Sequence, residues 1–324
     1  MEWQRKYTNA YRRCNRAVIF LKYNEVIKMD KCMDSSNEIK TVIFPVAGLG
    51  SRFLPATKVV AKELLPILNK PLIDYAMSEA IKAGIEKFIF VTSPEKQSII
   101  NYFKKNIKLE NELKDKNSDY LELINNKLIL EDNLIEVIQD KPLGLGHAIW
   151  CAKDYITGPF AVILPDDLIV SKEPCIKQLI DTHREYKCNV VAVQEVDENN
   201  IEKYGVIDYY KNINNAFYIK DMIEKPSKEI APSNLAIIGR YVLQPSIIKE
   251  LSNQVLGFGG EIQLTDAIKK LINKENVIGY KFKGKRFDCG NVMGALEAQI
   301  SISMNDSKYK DQVKEIMNKN LSKD

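Results

Sequence analysis

An α/β fold is predicted for this 324-residue chain, and three observations predict it. From Thr41 onward, short β-branched or aromatic runs alternate with segments of helical period: "TVIFPV", "PLIDYAMSEAIKAG", "KFIFVTS", "PEKQSIINYFKK". That alternation is the βαβ pattern of a parallel sheet with helices on both faces. The first run stops at a turn of small residues, "AGLG" (47–50), and sheets of this kind take their ligands at strand ends. After about residue 196, runs around "YGVIDYY" and "NAFYIKDMIEKP" read as shorter strands of antiparallel character, with no Pro/Ser-rich linker to set them apart. The class is therefore Rossmann-like: a mostly parallel sheet flanked by helices, with an added smaller α+β portion.

The elements follow in order. Residues 1–40 carry more Lys and Arg than acids, show no clear period, and hold one short apolar patch, "AVIFL". They read as an N-terminal extension without function; an organelle transit peptide is the other reading. The catalytic domain is expected over 41–304. Its first helix starts near Pro71, with Leu72, Tyr75, Ala76, Ala80 and Ala83 on one face and Gly84 as its stop. Residues 104–132 are charged with scattered aliphatics, including Leu109, Leu113, Leu121 and Ile124. They read as a surface helical insertion, either an oligomer contact or a solvated arm. The sheet resumes with "LIEVIQD", "FAVILPDD" and "NVVAVQEV", and 305–324 form a polar tail.

Composition removes several classes of function. A net charge of +4 is too mild for a nucleic-acid binder, which concentrates basic residues on one face. Six scattered cysteines without a CxxC pair read as reduced thiols of a cytoplasmic protein. Two histidines in all make a His-rich zinc site a poor expectation. No apolar run reaches the roughly 18 residues a membrane span needs.

The glycine turn is ambiguous by itself. Gly48 and Gly50 are followed by Ser51-Arg52-Phe53-Leu54-Pro55, so the third glycine of a dinucleotide fingerprint is missing, and no Walker A loop is present. A tight turn with ordinary surface cations explains the glycines equally well. Arg52 and Lys62 add weight to a phosphate site, since a guanidinium two residues after Gly50 can reach oxygens held by the turn's N–H groups.

Over 45–75, "PVAGLGSRFLPATKVVAKELLPILNKPLIDY" resembles the opening of the sugar-nucleotide pyrophosphorylases, and more narrowly their bacterial UTP–glucose-1-phosphate uridylyltransferase branch. Further stretches carry the resemblance in order to about residue 300: "QDKPLGLGHAI", "AVILPDD", "YGVID", "IEKP", "APSNLAIIGRY", "GGEIQLTDAI" and "FDCGN". One departure is that Ala61, where members usually have Pro, precedes Lys62. The resemblance implies transfer of a uridylyl group from UTP to glucose 1-phosphate, with Mg²⁺ as cofactor. It also implies a homo-oligomer whose partners are these substrates, not nucleic acid or membrane.

Residue by residue, the resemblance places Arg52 and Lys62 on the triphosphate and the departing pyrophosphate, and Lys225 on the sugar phosphate. Glu224 and Gly205 would meet the sugar. Backbone at Ala47 and Gly48, with Gln139 and Gly144, would read the base, and Glu63 would lie near the nucleoside. Asp166 and Asp288 would hold the metal. Chemistry supports several of these assignments. Asp166 ends an apolar strand, and Mg²⁺ favours one or two carboxylates with phosphate oxygens and water. A glutamine amide can pair with both a carbonyl and an N–H of a pyrimidine edge. Taken alone, Asp166-Asp167 also fit a solvated strand-end turn, "EK" an exposed ion pair, and Gly205 a bulge. His147, in a helix-opening turn, reads as a capping or packing residue, because an anionic phosphate nucleophile needs no general base. Two alternatives stay open: another base or sugar, such as thymidylyl transfer, and a catalytically silent sugar-nucleotide-binding regulator.

Overall fold

The computed structural model describes residues 38–114, 120, 121, 124, 133–253 and 255–321. The chain divides into two units, Met1–Glu38 and Ile39–Asp324, and apart from Glu38 every described residue belongs to the second. The expected N-terminal extension thus falls, through residue 37, outside the described residues, as does part of the insertion over 104–132.

The second unit opens with β1 (Thr41–Pro45), a short hairpin of β2 (Pro66–Ile67) and β3 (Lys70–Pro71), and helix α1 (Leu72–Lys82). Next come β4 (Lys87–Thr92), α2 (Gln97–Phe103), α3 (Ile107–Lys114), β5 (Leu134–Ile138) and α4 (Leu145–Cys151). The middle holds β6 (Phe160–Ile163), β7 (Asp167–Val170), α5 (Cys175–Tyr186) and β8 (Asn189–Glu195). Then β9 (Gly205–Ile213), β10 (Ala216–Glu224), β11 (Leu235–Leu243), α6 (Ile247–Leu251) and α7 (Leu264–Ile272) follow. The chain finishes with β12 (Val277–Lys281), β13 (Lys285–Asp288), α8 (Val292–Asn305) and α9 (Lys310–Leu321).

One nine-stranded sheet forms the centre, in the order β5-β4-β1-β6-β11-β8-β12-β10-β9. β1, β4, β5 and β6 pair in parallel, as do β8 and β12, while β11 and β10 are antiparallel to both their neighbours in that order. Seven strands therefore share one direction, and only β10 and β11 reverse it. The expected mostly parallel α/β class is observed. The portion after residue 196 extends this same sheet, and its strands β9, β10 and β11 are nine residues each, not shorter as expected. Every residue of β11 is buried, as a strand covered on both faces requires.

The period-2 pattern of the strands sorts side chains between two cores. Val42 and Phe44 of β1, with Phe88 and Phe90 of β4, meet Ile73, Ala76, Met77 and Ala80 of α1 and Leu179 of α5. Their alternates Ile43, Ile89 and Val91 face α4 and α7 through Ile149, Leu264, Ile268 and Leu271. Gly84 ends the first helix in a left-handed conformation, φ 86°.

Two features place the site. β1 lies between β4 and β6, so consecutive connections leave it in opposite directions and open a crevice at its carboxyl end. The run "FAVILPDD", read as one strand, divides at Leu164–Asp166 into β6 and β7. Leu164 N–H donates to Gly239 O (2.9 Å), and Pro165, with no N–H, cannot continue the ladder. Beyond that bend, β7 pairs with β13 as a separate ribbon in which Asp167 lies opposite Asp288.

Candidate active site

The glycine turn grows from the end of β1. Val46 N–H donates to Val91 O (2.8 Å) and Gln139 N–H to Thr92 O (2.7 Å). The end of β4 thereby carries both the turn, with Ala47 and Gly48, and Gln139. Gly50 sits in the left-handed region at φ 66°. A Cβ there would lie 3.2 Å from Lys62 Cβ and 3.2 Å from Thr57 Cγ2, so the residue is suited on both counts. Three short 3₁₀ turns (51–53, 56–58 and 62–64) lead the chain round to Lys62.

Lys62 Nζ donates to Asp166 Oδ2 at 2.6 Å. Burial would lower the ammonium's pKa, but Asp166 and Glu63 outweigh it and hold Lys62 above its usual value. For Asp166, burial would raise the carboxyl, yet Lys62 holds it below the carboxylate norm. Both groups are thus charged at neutral pH. A Cβ placed on Gly290 would lie 3.0 Å from Asp288 Oδ1, 3.1 Å from Asp166 Oδ2 and 3.6 Å from Arg52 Nη1. Two carboxylates and a guanidinium therefore converge on one glycine, the carboxylate oxygens no further apart than about twice those distances.

Asp167, left without a role by the sequence, is a buried anchor. Arg286 of β13 donates to its Oδ1, Gly239 N–H to its Oδ2 (2.8 Å) and Arg240 Nη2 to its carbonyl (2.8 Å). Burial raises its carboxyl pKa, with Arg286 opposing. With both side-chain oxygens and its carbonyl engaged, Asp167 ties β7 to β13 and β11 and leaves Asp166 at the bend.

Gly205 and Glu224 are cross-strand partners on β9 and β10. A Cβ on Gly205 would meet Glu224 Oε2 at 2.9 Å and Thr265 Oγ1 at 3.2 Å, and Thr265 donates to that same Oε2 at 2.7 Å. Lys225 leaves β10 at φ 46°; its N–H is held by Tyr204 O (3.0 Å) and its Nζ lies 5.2 Å from the centre of the Phe258 ring. Arg52, Asp166, Gly205, Glu224 and Asp288 line one cavity of about 230 Å³, together with Tyr204, Thr265 and Arg286. A larger cavity of about 570 Å³ lies around Lys70, Tyr75, Phe287 and Asn305; none of the predicted site residues lines it.

The remaining predicted residues lie away from that cavity's lining. Gln139 Nε2 is 2.9 Å from His147 Nδ1 and donates to Gly144 O at 3.2 Å. Burial lowers the His147 pKa, which favours the neutral ring that accepts this bond. Gly144 has φ 99°, and a Cβ on it would lie 2.8 Å from Glu261 Cβ. The turn is bound to "GEIQL" by Ile262 N–H to Leu143 O and Gly146 N–H to Ile262 O. Glu63 is only 1% exposed and pairs with Lys96, whose Nζ donates to Glu63 Oε2 at 2.8 Å and to Val46 O at 2.7 Å. Lys96, Thr265 and Arg286 escaped the sequence reading, since none stands in a recognised spacing and their partners are 33 to 119 residues away.

A glycine turn at the switch point of a doubly wound sheet, beside converging cations and carboxylates, defines an α/β protein that handles nucleotide phosphates. The chain belongs to the nucleotidyl transferase family, whose model matches residues 40–304. It is 42% identical to the UTP–glucose-1-phosphate uridylyltransferase of Bacillus subtilis over 89% of this chain and 99% of that one. Among solved structures it resembles a UTP-bound UGPase from Acinetobacter baumannii, with a TM-score of 0.80, 38% identity, and coverage of 86% and 99% of the two chains. A UDP-glucose pyrophosphorylase complexed with UDP-glucose matches with a TM-score of 0.74 and 43% identity, covering 83% of this chain and all of that one.

Proposed function

We infer that this chain transfers a uridylyl group from UTP to glucose 1-phosphate, giving UDP-glucose and pyrophosphate. The convergence of Asp166, Asp288 and Arg52 on Gly290, beside the glycine turn, carries the chemistry. The substrates follow from the relatives, which are uridylyltransferases along nearly their whole length. An anionic oxygen of glucose 1-phosphate attacks the α-phosphorus in line. The new P–O bond forms as the bond to the β-phosphate breaks, and pyrophosphate leaves with the electron pair. No proton need move, so the protein's task is alignment and neutralisation of two polyanions.

Arg52 and Lys62 take the triphosphate, and Lys225 the sugar phosphate. Glu224, fixed by Thr265, accepts from sugar hydroxyls, and Gly205 leaves room for the ring. Ala47, Gly48 and Gly144 offer backbone to the base. Gln139 bonds within the protein through Nε2, so its Oε1 remains to accept the pyrimidine N–H. Glu63 acts from beneath the nucleoside site.

Asp166 and Asp288 would hold Mg²⁺. Two carboxylate oxygens around a position only a glycine leaves open suit a cation that prefers few carboxylates and several water or phosphate oxygens. Bound there, the ion would neutralise phosphate charge as pyrophosphate departs. A homo-oligomer in the cytoplasm completes the reading. Val292, Met293 and Leu296 stand exposed on α8, Cys151, Cys175, Cys188 and Cys289 are unpaired, and no helix among the described residues is long and apolar enough to cross a membrane. Pyrophosphate release measured over a panel of nucleoside triphosphates and sugar 1-phosphates tests the function. The highest kcat/KM belongs to UTP with glucose 1-phosphate; preference for another pair overturns it.

A further inference from the structure

We propose that Lys96 is a positioning residue that locks the two halves of the nucleotide clamp together, the glycine turn and the Lys62 segment. The proposal rests on the placement of those two parts at the triphosphate and base. Lys96 follows β4 in a short turn and is itself buried. Its ammonium donates to Val46 O, the last carbonyl before Ala47-Gly48, and to Glu63 Oε2, on the residue next to Lys62. Fifty residues separate one partner from Lys96 and thirty-three the other, so no local rule of chain geometry keeps them in register.

Buried charge makes this tie specific. A buried ammonium with one carboxylate and one carbonyl is held more firmly than an exposed pair, and removing one partner leaves the other charge without compensation. Burial lowers the Lys96 pKa and raises that of Glu63, each opposed by the other, so each charge depends on its partner. Packing repeats the constraint, because Gly50 faces Lys62 Cβ with no space for a side chain. The distance between turn and Lys62 is thus fixed both by the Lys96 tie and by the close approach at Gly50. Neither Lys96 nor the Glu63 carboxylate lines the cavity of Asp166 and Asp288, so both act through the groups they hold.

Steady-state kinetics with each substrate varied, joined to thermal melting, test this on the full chain. Lys96→Met raises the UTP KM about tenfold or more, as loss of a charged hydrogen-bond tie would, lowers kcat, and leaves the glucose 1-phosphate KM near wild type. A role confined to stability lowers Tm and active fraction with both KM values unchanged, and that result overturns the proposal. Since Lys96→Met strands a buried carboxylate, Lys96→Met/Glu63→Gln is the second variant. It recovers Tm toward wild type yet keeps the raised UTP KM, because the Val46 carbonyl still lacks its donor. Recovery of both quantities overturns the proposal. Lys62→Ala, measured alongside, reports on the site assignment: if it spares UTP turnover, the triphosphate placement fails and not the tie.

Discussion

At the scale of single residues, Lys225 and Lys62 should fail in different ways. On the proposed assignment Lys225 would meet the sugar phosphate before and during reaction, whereas Lys62 would gain most as charge moves onto pyrophosphate. Lys225→Ala should therefore raise the glucose 1-phosphate KM far more than the UTP KM. Lys62→Ala should chiefly lower kcat, on the order of 10²–10³-fold. Kinetics with each substrate varied in turn decide it, and a shift of the UTP constant alone in Lys225→Ala reverses the two phosphate sites. Asp166→Ala and Asp288→Ala should each abolish Mg²⁺-dependent turnover; near wild-type rates at moderate Mg²⁺ in either variant removes that residue from the metal site. Motif and strand-end position mark Lys62, Asp166, Lys225 and Asp288 in the sequence. It was silent on Lys96, Thr265 and Arg286, which act through contacts between distant segments. Asp167 shows the same limit from the other side: its spelling matches that of Asp166, yet one position past the bend it is bound inward by Arg286 and Gly239.

Among elements, α5 joins packing to acidity. His183 near its end is 2% exposed, and its Nδ1 meets Cys188 O at 2.7 Å, which requires the Nδ1–H form. Burial lowers its pKa below the usual imidazole value of about 6.5. A group whose folded pKa is depressed leaves stability intact above its unfolded value and withdraws it as pH falls through the folded one. The protein should lose stability below about pH 6.5, and His183→Asn, which keeps an N–H donor, should show a shallower acid loss. Urea titrations at pH 8 and pH 5.5 check this; identical acid slopes would clear His183. Alternating runs and Gly84 made α1, β1 and β4 legible, since their burial follows local period. Division of "FAVILPDD" was missed although Pro165 marks it: the Leu164 N–H still bonds to Gly239 O in register with β11, and the next residue has no N–H to carry the ladder on. The length of β9 to β11 was not legible, since it is set by pairing across the sheet.

For the whole molecule, the buried Arg240 is the joint. From β11 it pairs with Glu79 of α1 (2.8 Å), whose carboxylate also accepts from Ile176 N–H of α5, and it donates to carbonyls of Leu164 and Asp167. Arg240→Met should cost about 3–5 kcal/mol, because it leaves Glu79 buried without its cation; a loss below about 1 kcal/mol in denaturant titration would refute this. Arg240→Met/Glu79→Gln should recover part of the loss. The position of β11 between β6 and β8 has a further consequence for synthesis. On the ribosome β6 and β8 emerge first, and their facing edges have no partner until Leu235–Leu243 arrives. At about 5–20 residues per second, the interval from Glu195 to Leu235 lasts roughly 2–8 s, with two apolar strand edges open to mispairing. Chaperone dependence should therefore concentrate in nascent chains from which β8 but not β11 has cleared the tunnel, and ease once β11 has followed.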